Sequence, residues 1–215
     1  MVAVCFVVAP QVVSAQIVSN LAQSTVDNWI AGNVFGTEGG LATAFTTGSN
    51  AGGYSLTSAT IVAHENQSGS PANIQVTVNS DSSGNPGASL GALTGANPST
   101  IGNHTYTNDG ILLAANTTYL LTLLAPGSPG GGANFYSIAT TNSDTETTSD
   151  VWSIADSGLS TFNGGTSWNV SGSTSLKFSL TATPVPEPHE YALMVGLGLV
   201  GFVFLRRRML ANQVA

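Results

Sequence analysis

Asn73-Ile74-Gln75-Val76-Thr77-Val78-Asn79 alternates apolar and polar residues without a fault, and residues 174–183 do the same. In the second stretch Leu176, Phe178, Leu180 and Ala182 fall on one face, with Lys177, Ser179 and Thr181 on the other. A period of two places successive side chains on opposite faces of a strand. One apolar face and one polar face predict an antiparallel sheet that buries one side and solvates the other. Working outward, 41–46, 55–63, 102–107, 118–124, 134–140, 151–155 and 167–170 read as further short strands. Turn formers separate them: Gly69-Ser70-Pro71, Ser83-Gly84-Asn85-Pro86-Gly87, Asn108-Asp109-Gly110, residues 126–132 and Asn163-Gly164-Gly165. Short strands at this spacing predict an all-β domain, an antiparallel β-sandwich or jelly roll, over residues 16–183. Only 26–31 suggests a helix, and that one is too short to matter. No internal repeat is found.

Composition agrees with one modest domain. The 215 residues are 42 % apolar, enough for a core. Charged residues are only 7 %, where about 25 % is usual. Four basic and eleven acidic residues give a net charge of −7, which excludes the basic footprint of a nucleic-acid binder. Polarity comes from 25 Ser, 25 Thr, 17 Asn and 25 Gly. Threonine suits a solvated sheet face. Edge strands then lack their customary charged protection, so the surface tolerates or uses lateral association. Lys177 is the only cation in 16–183, against nine acidic residues there.

The ends speak of location. Residues 1–15, MVAVCFVVAPQVVSA, are apolar and finish Val13-Ser14-Ala15, with the small residues that a signal peptidase accepts, so cleavage between Ala15 and Gln16 is expected. No Lys or Arg precedes the apolar run: either the α-amino group alone supplies the charge or the true start lies upstream. The competing reading is a buried N-terminal strand. Cys5 leaves with this segment, so no disulfide, Cys nucleophile or Cys metal site is expected in the mature domain.

At the other end Thr183-Pro184-Val185-Pro186-Glu187-Pro188 is a stiff, proline-rich linker. An apolar run over 191–205 follows, then Arg206, Arg207 and Arg208. Fifteen helical residues span about 22 Å, short of the roughly 30 Å of a hydrocarbon core. Snorkelling arginines and Tyr191 narrow the deficit, and one transmembrane helix is expected. The arginines mark its cytoplasmic side and put 16–190 outside.

Val185-Pro186-Glu187-Pro188, an apolar helix and a terminal Arg cluster together resemble a PEP-CTERM sorting tail over 184–215. The resemblance implies recognition through Pro186, Glu187 and Pro188, a membrane stop at Arg206, Arg207 and Arg208, and processing by an exosortase, a membrane cysteine transpeptidase. It also implies a Gram-negative host that makes exopolysaccharide and biofilm. Seven residues after the arginines are slightly more than the family pattern has. The competing reading is a plain C-terminal membrane anchor. A second resemblance, of Asn79-Ser80-Asp81-Ser82-Ser83-Gly84-Asn85-Pro86-Gly87-Ala88-Ser89-Leu90 and Leu113-Ala114-Ala115-Asn116-Thr117-Thr118-Tyr119-Leu120, is to the choice-of-anchor R domain. It implies an extracellular β-rich domain and no particular activity.

Candidate chemistry is sparse. Gly87-Ala88-Ser89-Leu90-Gly91 matches the G-x-S-x-G nucleophile elbow in letters, but a Pro-Gly turn precedes it and Asn97-Pro98 follows where a helix belongs. His64-Glu65 and His104 lack the spacing of zinc ligands. Asp81, Ser83 and Asn85 alternate oxygen donors as a calcium loop does, with Pro86 in place of the required glycine; Asp144, Glu146, Asp150 and Asp156 form a looser acidic group. Trp29, Trp152, Trp168, Tyr54, Tyr106, Tyr119 and Tyr136 are candidate platforms for sugar rings, though most aromatics belong in a core. Asn66, Asn103, Asn116 and Asn169 begin sequons that this composition produces by default. The sequence therefore predicts an exported, non-enzymatic surface or matrix protein without cofactor, with the exosortase and the membrane as partners. The alternative is a carbohydrate-binding module on exopolysaccharide, with a serine hydrolase third.

Overall fold

The computed structural model describes residues 15–211 apart from 144, 150 and 173. Its strands are β1 (Gln16–Ser19), β2 (Asp27–Val34), β3 (Thr37–Thr46), β4 (Tyr54–Ala63), β5 (Gln75–Ser82), β6 (Asn85–Leu93), β7 (Gly102–Leu113), β8 (Thr118–Leu124), β9 (Ala133–Thr141), β10 (Thr147–Thr148), β11 (Ser153–Thr161), β12 (Asn169–Val170), β13 (Ser175–Leu176) and β14 (Phe178–Pro184); α1 is Pro188–Ala211.

All paired strands run antiparallel. β4 lies between β7 and β14, and β14 carries β1 and then β10 to one edge. β9 pairs with β2 from Asp27↔Thr140 to Val34↔Ala133. β3 belongs to both halves of the sheet. Its first residues pair with β2, and from Gly40 onward it lies between β8 and β11. β8 continues to β5 and β5 to β6. Two single bridges, Ala63↔Ile138 and Thr94↔Thr107, link β4 to β9 and the end of β6 to β7. The pairing thus closes on itself as a sandwich-like β-domain. Leu56, Ile61, Tyr106 and Phe178 meet Phe45, Val76, Val78, Leu121 and Leu123 in one core. Its threonines link neighbouring strands: Thr60 to Thr105 at 2.8 Å, Thr46 to Thr118 at 3.0 Å, and Thr77 to Thr122. Others, including Thr43, Thr47 and Thr161, are buried rather than on the solvated face.

Several boundaries depart from expectation for local reasons. The expected strand 118–124 coincides with β8. The strand expected from Asn73 begins at Gln75, because the Ile74 amide is taken by Asn97 Oδ1. Residues 27–31 are strand, not helix. Asn108-Asp109-Gly110 does not end a strand. It is a bulge inside β7, where the partners of β4 jump from Ile111 to Thr107. The turn at 83–87 contracts to Ser83 and Gly84 (φ 55° and 82°), so Pro86 lies within β6 at the edge of the sheet, where a proline deprives no partner.

Lys177 is the main correction. It was expected on the solvated face, yet it is only 7 % exposed and interrupts the strand predicted over 174–183. Its amide donates to Ala139 O, while buried Asn20 serves both neighbours, donating to Leu176 O and accepting from the Phe178 amide, each at 2.7 Å. The ammonium donates to Gln23 O (2.5 Å) and Thr25 Oγ1 (3.1 Å). Desolvation lowers its pKa from the ordinary lysine value.

The tail brings a second correction. A helix does follow the prolines, over Pro188–Ala211 rather than 191–205 alone. Among the described residues, however, no helix is long and apolar enough to cross a membrane, so the expected transmembrane helix is not found. The apolar run is short, carries Gly196, Gly198 and Gly201, and is bounded by His189-Glu190 and the arginines.

Candidate functional site

The predicted catalytic and metal residues do not assemble. Ser89 sits within β6, opposite Asn79, on an extended strand rather than on a strand–turn–helix elbow. That geometry removes the basis of the hydrolase reading. His64 Nδ1 lies 4.0 Å from Glu65 Oε1 on the surface, while His104 Nε2 is 2.8 Å from Thr100 O. Asp81, Ser83 and Asn85 do come together at the β5–β6 hairpin. There the Asp81 carboxylate accepts from the Gly84 amide at 2.7 Å and stabilises the turn. Glu146 accepts from the Ile154 amide, Asp156 is exposed, and Asp144 and Asp150 lie outside the described residues. Among the described residues no group of three His, Cys, Asp or Glu is placed to hold a metal ion.

Most of the aromatic candidates are core. Tyr54, Tyr106, Tyr119, Tyr136 and Trp152 are buried, which withdraws them as sugar platforms. The Tyr106 and Tyr136 hydroxyls donate to Ala96 O and Ala72 O, and burial raises both above the ordinary tyrosine pKa, Tyr106 strongly. Trp29 and Trp168 are half-buried, and the sequon residues Asn66, Asn103, Asn116 and Asn169 are exposed. An open groove of about 520 Å³ beside β5 and β6 is lined by uncharged groups such as Asn73, Gln75, Thr94 and Asn97. The Asn97 amide there is already used, through Ile74 N and Asn73 Oδ1.

The exposed aromatics are ones that pattern reading passed over. Phe35 and Gly36 form the two-residue turn between β2 and β3, with φ 50° and 94°. Positive φ at both positions favours Asn-Gly, so a phenylalanine there is strained. The turn is nevertheless well held: Gly36 N donates to Asn33 Oδ1 at 2.7 Å and Phe35 N to Gly132 O at 3.1 Å. Phe35 is 79 % exposed. At the same end, β11 finishes at Thr161 opposite Gly40, and Phe162 follows, also exposed. Asn163 rigidifies this loop, accepting from Thr161 Oγ1 and Ser167 N and donating to Ser167 Oγ; Gly164 N donates to Glu38 O. The Phe-Gly pair between two apolar runs was the only sequence signal for this tip.

The tail leaves from the opposite end, where β4 begins and β14 finishes with Pro184 opposite Tyr54. Val185 is docked on the turn before β4, with its amide donating to Gly53 O at 2.9 Å and its carbonyl accepting from Asn50 Nδ2 at 3.0 Å. Pro186 and Glu187 are half-buried beside it. In α1 the apolar side chains of Val195, Leu199, Phe202 and Leu205 are exposed, as are Arg206 and Arg207. The side chains of Pro188 and Arg208 are outside the described set. Of the expected signal segment, residues 1–14 lie outside the described residues, Ala15 is exposed and Gln16 opens β1.

Comparison of the chain with protein-family models, with curated proteins and with solved structures gives no match.

Proposed function

We propose that this chain is an exported, non-enzymatic surface or matrix protein, in which a β-domain is delivered by a C-terminal sorting tail. One observation carries the reading. From Pro188 the chain forms a helix in which the large apolar side chains described between Val195 and Leu205 are exposed all round, although the β-domain has closed its own core. A helix that is apolar all round suits apolar surroundings, not one side of a sheet. Its apolar run is too short for a lasting span, which fits a segment that holds a precursor weakly at the membrane until it is cut. In this reading the export signal ends at Ala15, Pro186, Glu187 and Pro188 are recognised by an exosortase, and Arg206, Arg207 and Arg208 arrest translocation on the cytoplasmic side. Intact-mass analysis of the mature protein from its host tests this: a C-terminus shortened to the region of the motif is expected. Mature protein that keeps all three arginines would sink sorting by cleavage.

A second reading is recognition of a neutral polysaccharide, and the exposed, strained Phe35 is what favours it. Strain of this kind persists where surrounding structure imposes it, often for binding. Exopolysaccharide retention by the full-length protein, lost on Phe35→Ala and Phe162→Ala, is the expected result. Equal retention by the variants would end it.

A further inference from the structure

The residue that precedes the Pro186-Glu187-Pro188 motif is gripped by the domain on both sides of its peptide. Val185 N–H donates to Gly53 O, and Val185 O accepts from Asn50 Nδ2. The same Asn50 amide donates to Gly53 O at 2.6 Å, and Gly53 N returns a bond to Asn50 O at 2.8 Å. Asn50 N in turn donates to the buried Tyr54 hydroxyl at 3.0 Å. One asparagine side chain therefore closes the turn and holds the tail against it. Gly52 completes the cradle: a Cβ there would overlap the Val185 carbonyl oxygen. The chain is held in register through Pro184 and hydrogen-bonded at Val185, so it leaves the domain only at the motif.

An enzyme that reads this motif and cuts beside it must take extended chain on both sides of the bond into its cleft. Upstream, that chain is committed to β4 and to the 50–53 turn. We infer that the turn of Asn50, Gly52 and Gly53 is a latch that restrains processing of the tail, with Asn50 as its positioning residue. The inference rests on the sorting reading above and adds its regulation. Processing then requires the end of β14 to fray, and its rate follows the opening of Val185 rather than the motif alone. The bonds are neutral and half-exposed, so opening is local and leaves the core intact.

Two measurements on the full-length chain test the latch. Hydrogen exchange in detergent is expected to show the Val185 amide protected in wild type. In Asn50→Ala and Gly52→Ala it exchanges about three- to tenfold faster, the factor equivalent to one neutral hydrogen bond. Amides of β4 and β14 keep their protection, which separates unlatching from misfolding. An unprotected wild-type Val185 amide overturns the latch. In the producing host, pulse–chase with intact-mass readout follows tail removal. Faster removal in both variants, with none in Glu187→Ala, is the expected result. Removal at or below the wild-type rate in Asn50→Ala and Gly52→Ala, with Glu187→Ala still blocked, overturns the latch and leaves the sorting reading standing. If Glu187→Ala is processed as wild type, or no chain is cut, the sorting reading and the latch fall together.

Discussion

The indole of Trp152 lies parallel to the ring of Phe45, with 2° between their planes and 6.1 Å between centroids, and meets Tyr54 edge-on at 4.9 Å. The three rings come from the approach to β11, from β3 and from the first residue of β4, and all are buried. Trp152 therefore ties a connecting segment to both halves of the domain. Trp152→Ala should cost about 3–5 kcal/mol in urea unfolding. Trp152→Phe should cost less than half as much, because it keeps most of the volume and discards an indole N–H that has no partner among the described residues. Equal losses would place the energy in that N–H instead of in packing.

Stability above neutral pH should reveal the buried lysine. The folded chain holds the Lys177 proton less tightly than the unfolded chain does, so this residue makes stability rise with pH up to the ordinary value of 10.5. Tyr106 and Tyr136 act in the opposite sense. Above their ordinary value of 10.0 the unfolded chain ionises first, and stability falls. The stability of wild type relative to Lys177→Met, from urea titrations between pH 7 and 10.5, should therefore climb with pH. A declining difference would show that the site favours the ammonium. Tyr106→Phe with Tyr136→Phe should soften the loss above pH 10.

Phe35→Asn should raise the thermal midpoint. The side chain is almost wholly solvated, so little packing is lost, while asparagine accepts the left-handed backbone far better. Relief of about 1 kcal/mol is expected. A fall would mean that Phe35 packs on something in solution.

Two glycines separate crowding from backbone strain. At Gly32 (φ 136°) a Cβ would overlap Asn134 O and stand 2.7 Å from Phe135 Cα, so Gly32→Ala must force β2 away from β9. A loss of at least about 2 kcal/mol is expected. At Gly36 (φ 94°) nothing lies within 4 Å, and Gly36→Ala should cost about 1 kcal/mol from its backbone alone. Similar losses at both sites would mean that the β2–β9 pair adjusts freely.

What the sequence disclosed was whatever a strand records locally. Short apolar and β-branched runs between turn formers located β8 to the residue and most of β3, β4 and β9; β4 buries a face in step with its own pleat, whereas β8 is buried along nearly its whole length. Local pattern failed where a distant group decides. Nothing near Ile74 says that Asn97 will take its amide, and nothing near Lys177 says that Asn20 and Gln23 will fold over it. Glycine and proline misled in the other direction: Asn108-Asp109-Gly110 reads as a turn but bulges, since β4 supplies partners on both sides of it. The tail motif was legible as letters alone, while the Asn50 contact to Val185 spans 135 residues and leaves no local trace.

Lys177 is the only lysine, and Arg206, Arg207 and Arg208 are the only arginines. The first is buried and the others lie in the helix beyond the linker. To a trypsin-like endopeptidase the folded β-domain is one uncut piece, and even unfolded it breaks only after residue 177. Routine tryptic peptide mapping would all but miss this protein, and the folded domain would outlast proteases that seek a basic residue.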